Sequence, residues 1–427
     1  MPDPADPVVV VGAGAAGTMA AIFAAERRRP VRLLERTGNG GRKIVISGGG
    51  RCNVLPSRAN PAQFVTASSP NTLKKMLRSW PLAEQRRFFK EALGIPLALE
   101  EETGKLFPVS NRSRDVRDAL YALARGRGVE IRFGARVTGL QPPVGDRPWR
   151  VSVENEEPIP AGAVVLATGG LSVPASGSDG AGLRMAERLG HEIHPTYPAL
   201  TPLTADPPRH AELAGVSLEA RLEAPLPRGR FATRGGFLFT HRGYSGPAVL
   251  DISHLAVRSR LEGDGRQEIR VQWTEADTAE WDRRLMEAGG GTVGPLLRRH
   301  LPARLADALV AEAGVDPARA LAELRREERT ALVEALARYR LPWSGDEGYR
   351  KAEVTGGGVA LSEVDPRTLE SRRRPGLFLC GEMLDAFGPI GGYNFLWAWA
   401  TGRAAGRGAA EGRGATGPGA APRDPRA

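Results

Sequence analysis

The stretch Pro7-Val8-Val9-Val10-Val11-Gly12-Ala13-Gly14-Ala15-Ala16-Gly17 decides the fold of the chain's first part. Four consecutive valines read as a parallel strand covered on both faces, where no polar alternation is needed. The glycines follow the strand directly, and the Ala-rich run Thr18 to Arg28 reads as a helix ended by Pro30. Gly12 permits the tight turn, Gly14 lets backbone approach a pyrophosphate, and Gly17 lets helix and strand pack closely. The helix head, with Ala15 and Ala16 in its first turn, offers free N–H groups and partial positive charge to an anion. Val31-Arg32-Leu33-Leu34-Glu35 is the second strand. Glu35 at its end can accept both ribose hydroxyls and would repel a 2′-phosphate, which points to FAD or NAD rather than NADP.

The far end of the chain separates those two. Thr168-Gly169-Gly170 follows the buried run Ala163–Ala167, giving a second close backbone approach. Glu382 and Asp385 follow a strand at 376–380, with Asp385 placed to bind a ribityl hydroxyl. Gly391-Gly392-Tyr393-Asn394 opens the last helix toward a phosphate or the flavin pyrimidine. A dinucleotide gripped from both ends of the chain is an extended one, and that is FAD. No second strand–GxGxxG–helix unit occurs, so NAD(P)H would act as a transient reductant at an open face.

Working outward, helical spacing runs from Pro70 to Leu93 and from Arg112 to Arg125, and short strands read at Glu130–Phe133 and Trp149–Val153. Composition then changes twice. The expected division is an α/β FAD-binding domain of the two-dinucleotide Rossmann type, discontinuous over 1–190 and 354–410. A β-barrel-like, proline-rich insert occupies 191–275, a helical insert 276–353, and a disordered tail 411–427.

The chain has 427 residues, 41% hydrophobic and 25% charged, ordinary for a globular protein. Its apolar runs are strand-sized, far short of the ~20 residues of a membrane helix. The start MPDPADP lacks the features of a signal peptide. Two isolated cysteines, Cys52 and Cys380, suggest a reduced, cytoplasmic setting and no zinc or iron–sulfur site. Nothing in the sequence sets the oligomeric state.

Net charge is +10, with 27 basic and 18 acidic residues in 1–190 against 23 and 24 in 191–353. Residues 27–58 hold nine basic side chains (Arg27, Arg28, Arg29, Arg32, Arg36, Arg42, Lys43, Arg51, Arg58) and one acid, Glu35. Such a face can draw in phosphates of a cofactor or of RNA. An Arg-rich coding bias is the plainer reading, since only six of the 59 basic residues are lysine.

The segment Gly41-Arg42-Lys43-Ile44-Val45-Ile46-Ser47-Gly48-Gly49-Gly50-Arg51-Cys52-Asn53 resembles the GRK…SGGGRCN signature of bacterial flavoproteins grouped as the BaiN/RdsA (YhiN-like) family. Phe107-Pro108-Val109-Ser110, Phe239-Thr240-His241-Arg242-Gly243-Tyr244-Ser245-Gly246-Pro247 and the run from Val354 through Ser371 match it as well. Phe387-Gly388-Pro389-Ile390 departs from it, since relatives often carry an acidic residue and a threonine there. The resemblance implies an FAD domain built from both chain ends around an insert with β-barrel-like and helical parts. It also implies one of two activities: reduction of carbon–carbon double bonds, including uridine in 23S ribosomal RNA and bile-acid intermediates, or oxygen-dependent oxidation of aminoacetone. Weighed beside these is a third function, a flavin-dependent RNA-binding or assembly role without catalysis. The leading expectation is dihydrouridine formation in ribosomal RNA.

Ser47 to Gly50 can run close to a flavin ring, with Gly49 leaving backbone exposed and Arg51, Cys52 and Asn53 projecting beside it. Arg36, Arg42, Lys43 and Val137 complete the candidate cofactor-binding set. Cys52 is the candidate general acid and His241 the second candidate, as acid/base or phosphate contact. The plainer readings are a packed turn cysteine and a turn-capping histidine. The other histidines show no metal-ligand spacing.

Overall fold

The computed structural model describes residues 6–27, 29–263, 265–287 and 289–411. The expected tail therefore lies, beyond Glu411, outside the described residues. Two compact units emerge. One comprises the residues up to Thr196 and those from Thr355, and the other spans Tyr197–Val354.

The first unit is organised by a five-stranded parallel sheet. Its order is Leu377–Leu379, Ala163–Leu166, Val8–Val11, Val31–Glu35, Glu130–Phe133. Val8–Val11 lies at the centre, in register with Ala163–Leu166 on one side and Val31–Leu34 on the other. All four valines are buried, as a strand covered on both faces demands. The first helix, Ala15–Ala25, is buried along most of its length because a second helix covers it. That partner is the last helix, Tyr393–Glu411. The contact uses missing side chains: a Cβ on Gly402 would fall 2.3 Å from the Ala16 carbonyl oxygen, and one on Gly406 2.1 Å from that of Ala20. Two small antiparallel sheets complete the unit, one of Leu55–Pro56, Lys105–Pro108 and Leu97–Glu100, the other of Val137–Gln141, Trp149–Val153 and Ile159–Ala161. The helical stretch from Pro70 to Leu93 is two helices, Pro70–Arg78 and Leu82–Glu91, because Pro81 cannot continue the first.

The second unit holds a seven-stranded sheet whose pairings are antiparallel, with Ser217–Pro225 and Arg230–Thr240 as its long central hairpin. Helix Pro247–Glu262 packs on that hairpin. Helices Thr278–Glu287, Val293–Arg298, Ala303–Glu312 and Arg326–Ala337 follow. One apolar core, including Phe237, Phe239, Trp273, Trp281 and Leu336, runs through both the strand-rich and the helix-rich part of this unit.

Candidate functional site

The three fingerprint glycines turn out to have different causes. Gly12 sits at φ +101°, and a Cβ there would meet the Ala167 carbonyl oxygen at 2.6 Å. A Cβ on Gly17 would fall 1.8 Å from the Gly12 carbonyl oxygen. The protein's own packing demands both. Gly14 is different: a Cβ there would meet nothing within 4 Å, and its backbone is extended. What it keeps clear is the head of the first helix, which has no side-chain cap and no acid in its first turn. That is a cradle for an anion. On the same helix the Thr18 hydroxyl is fully buried and has no partner among the described residues.

Glu35 is buried, and its carboxylate accepts from Ala13 N–H (2.9 Å), Thr37 N–H (2.8 Å) and the Thr37 hydroxyl (2.7 Å). These donors hold it rigid, and a carboxylate keeps acceptor capacity beyond three bonds, enough for ribose hydroxyls. The Ala13 carbonyl is fixed in turn by the Tyr121 hydroxyl (2.8 Å) and Gly41 N–H (3.1 Å). Burial, with the Glu35 charge beside it, pushes the Tyr121 hydroxyl well above its ordinary range, so it stays a donor.

Ser47–Gly50 forms a tight turn in which Gly48, Gly49 and Gly50 all have positive φ. A Cβ on Gly48 would press on Phe107 at 2.9 Å, whereas Gly49 and Gly50 face open space. Arg51 stacks on the Phe107 ring (4.0 Å) and pairs with Glu100 (2.9 Å). The Asn53 amide accepts from Gly392 N–H (3.0 Å) and donates to the Leu55 carbonyl (3.2 Å), joining this turn to the start of the last helix. Cys52 holds φ +62° and is wholly buried. Burial pushes its thiol up to about 12, against a smaller opposing effect from Ser47.

From the far end of the chain comes an acid–base hub. Glu382 accepts from Lys43 (2.7 Å), from the Ser172 hydroxyl (2.7 Å), and from the Thr355 N–H and hydroxyl (3.0 Å each). Lys43 also donates to the Ser172 hydroxyl. The Thr355 oxygen takes the Leu171 and Ser172 N–H groups, which follow Gly169 and Gly170. A Cβ on Gly170 would strike that hydroxyl at 2.3 Å. Thr168 donates to the Met383 sulfur (3.3 Å). Ser172 and Thr355 are members of the hub that the sequence reading missed, because their partner lies 210 and 27 residues away.

Asp385 stands apart from the hub. Its Oδ2 accepts from the Thr66 hydroxyl (2.9 Å), the Ala67 and Ser68 N–H groups (3.0 and 2.9 Å) and the Ser68 hydroxyl (2.8 Å), so it ties down the turn 66–68. Glu382 is therefore the acid at the second glycine approach. Asn394 clasps Gly388 through both amide ends, and the Tyr393 hydroxyl donates to Gln63. Gly391 and Gly392 have positive φ, and a Cβ on Gly392 would collide with Leu55 backbone at 2.5 Å. Val137 is buried opposite Val153. His241 belongs to the second unit, exposed in the turn between Arg230–Thr240 and Gly243–Ser245.

The basic run 27–58 is largely engaged within the protein. Arg32 pairs with Glu130 (2.9 Å), Arg27 with Glu411 (3.3 Å) and Arg36 with Asp179. Arg29 binds the carbonyls of Asp6 and Ala409, and Arg42 that of Ala175. Arg28 lies outside the described residues. Among the described residues no three His, Cys, Asp or Glu side chains gather to hold a metal ion, and no helix is long and apolar enough to cross a membrane.

Residues 6–408 match the model of the HI0933-like protein Rossmann domain family. The chain belongs to this family. It is an FAD-dependent oxidoreductase by family. A 3-dehydro-bile acid delta(4,6)-reductase of Clostridium scindens is 33% identical over 410 residues, 94% of this chain and 98% of the relative. A ribosomal RNA dihydrouridine synthase of Escherichia coli is 33% identical over 402 residues, 92% of this chain and 95% of the relative. In architecture the chain is similar to a 3-ketosteroid-delta4-(5alpha)-dehydrogenase of Rhodococcus jostii, with TM-score 0.50 and 16% identity, covering 94% of this chain and 96% of that one.

Proposed function

We propose that this enzyme binds FAD across the cradle of the first unit and reduces a carbon–carbon double bond conjugated to a carbonyl, with uridine in ribosomal RNA as substrate. The observation that carries the reaction type is a shared chemistry. Two relatives, each 33% identical over more than nine-tenths of this chain, bear the names of a bile-acid Δ4,6-reductase and a dihydrouridine synthase. Both names describe saturation of a double bond polarised by a carbonyl.

In this reading the head of the first helix takes the pyrophosphate, Glu35 the adenosine ribose, and Glu382 with Lys43 the ribityl end. Bound flavin supplies hydride transfer, and the reductant that recharges it is NAD(P)H visiting transiently. Ser47–Gly50 keeps its two open glycines free of side chains, so that a planar substrate can lie against backbone. Arg51 is held by Phe107 and Glu100 at the edge of that turn. The cytoplasm is the compartment where such an RNA is met.

The small-molecule relative supports a second reading, a free cyclic enone as substrate. One measurement separates the two: dihydrouridine content of 23S ribosomal RNA from a strain lacking this gene. Loss of dihydrouridine from it, restored by the gene, is the expected result. Unchanged dihydrouridine sinks the RNA substrate and leaves enone reduction by the purified holoenzyme as the reaction to assay.

A further inference from the structure

We propose that the helix pair Pro70–Arg78 and Leu82–Glu91 is a docking surface for the phosphate backbone of RNA. This inference rests on the RNA reading above and names the surface that would hold the substrate outside the catalytic cleft. Residues 70–91 carry Lys74, Lys75, Arg78, Arg86, Arg87 and Lys90 against Glu84 and Glu91. All six basic side chains are exposed, and none is ion-paired among the described residues. Six such side chains fall within the 17 residues from Lys74 to Lys90. The arginines of 27–58 are mostly turned to internal partners, and some exposed arginines of the second unit sit on acids, as Arg258 on Glu262, Arg298 on Asp307 and Arg340 on Glu268. Others, such as Arg228 and Arg299, form no ion pair among the described residues.

Three simpler explanations fall short. Coding bias toward arginine does not account for it, because three of the chain's six lysines are here. Helix-dipole compensation accounts for Lys75, Arg78 and Lys90, which lie in last turns. It leaves Lys74, Arg86 and Arg87. Ordinary solvation needs basic and acidic side chains interspersed, not six against two.

On each helix the cations share the solvent side. On the first helix Lys74, Lys75 and Arg78 lie opposite the buried Leu73, Met76 and Leu77. On the second, Arg86, Arg87 and Lys90 flank buried Gln85 and Phe89. The pair is rigidly seated. Trp80 and Phe88 pack on Phe23 (5.4 Å each), Phe89 packs on Trp399 (5.4 Å), and Arg403 donates to the Ser79 carbonyl (3.0 Å). Unpaired cations on a rigid, flavin-binding unit suit a polyanion whose backbone, not its sequence, is read.

The test uses the full-length holoenzyme and an unmodified 23S ribosomal RNA transcript, with affinity measured across a salt series. Two triple variants are made, Lys74→Gln/Lys75→Gln/Arg78→Gln and Arg86→Gln/Arg87→Gln/Lys90→Gln. The control, Arg258→Gln/Arg298→Gln/Arg340→Gln, changes net charge equally. Each patch triple should weaken binding about tenfold at physiological salt and lower the slope of log affinity against log salt by about 2, since each phosphate contact contributes about 0.7–0.9. Flavin content and melting temperature should stay at wild-type values, and the control should bind as wild type. Wild-type affinity and slope in both patch variants overturns the docking surface and leaves the RNA substrate standing. An equal loss in the control overturns it too, by reducing the effect to overall charge. No salt-dependent binding by the wild type overturns both readings, as does binding only to vesicles containing anionic lipid.

Discussion

At the scale of single residues, the clearest result is that one motif contains glycines of two kinds. Gly17 has no room for a Cβ, which would sit 1.8 Å from the Gly12 oxygen, so Gly17→Ala must displace backbone. It should lose at least the ~1–3 kcal/mol of an overpacked core, together with its flavin. Gly14 has room and an extended backbone that any residue adopts. Gly14→Ala should melt within about 2 °C of wild type yet bind flavin at least tenfold more weakly, about 1.4 kcal/mol. The ratio of flavin to protein absorbance, read beside a thermal melt, separates the two. Cys52 shows the opposite lesson. Its sequence context suggested a proton donor, but the sulfur is buried and the thiol sits near 12. Cys52→Ala should therefore keep both flavin and turnover, and loss of turnover with flavin retained would return the thiol to the reaction. The fingerprint and Glu35 were legible because their geometry is set within one strand–turn–helix unit. The different partners of Glu382 and Asp385 were not, since both follow the same strand and only contacts with Lys43 and with Ser68 distinguish them.

At the scale of elements, the same substitution should change sign with its surroundings. Gly406 is buried in the last helix against Ala20, and the clash of an added Cβ outweighs any gain in helix propensity. Gly406→Ala should cost about 1–3 kcal/mol in urea unfolding. Gly126 is the exposed last residue of helix Ser113–Gly126, and a Cβ there would meet nothing within 4 Å. Gly126→Ala should gain roughly 0.5–1 kcal/mol. The sequence showed the last helix but not its glycine face, because nothing local marks which helix lies on it. In the second unit, helix Ala303–Glu312 and strand Tyr339–Arg340 are joined by a hydrogen bond to a carboxylate. Glu312 accepts from His210 (2.7 Å) and from the Tyr339 hydroxyl (2.7 Å). Burial alone would push the Glu312 carboxyl up, but these bonds and the charges of His210 and Arg209 outweigh it and hold it below the usual carboxylate range. A depressed carboxyl contributes stability that is present above its unfolded value, ~4.3, and lost as pH falls through the folded one. Glu312→Gln should be less stable than wild type at pH 7, with the difference closing below about pH 4 in urea melts.

At the scale of the whole molecule, counting charges located the basic half of the chain but not its free charge. Lys43 and Arg51 belong to the richest run, yet their partners, Glu382 and Glu100, are 339 and 49 residues away, beyond any local reading. The helix pair at 70–91, outside that run, carries six exposed basic side chains without an ion pair among the described residues. The division into units has a thermodynamic counterpart. Each unit has its own apolar core, one around the four valines and one around Phe237, Trp273 and Trp281. All the proposed flavin-binding groups, from Gly12 to Asn394, lie in the first. A ligand stabilises only what unfolds with its site, by RT ln(1 + [L]/Kd), about 2.7 kcal/mol at a hundredfold excess over Kd. Scanning calorimetry of the apoprotein should then resolve two transitions. Added FAD should raise one of them by about 5 °C and leave the other in place. A single transition that moves as a whole would mean that the two cores unfold together, and a shift in neither would place the flavin elsewhere.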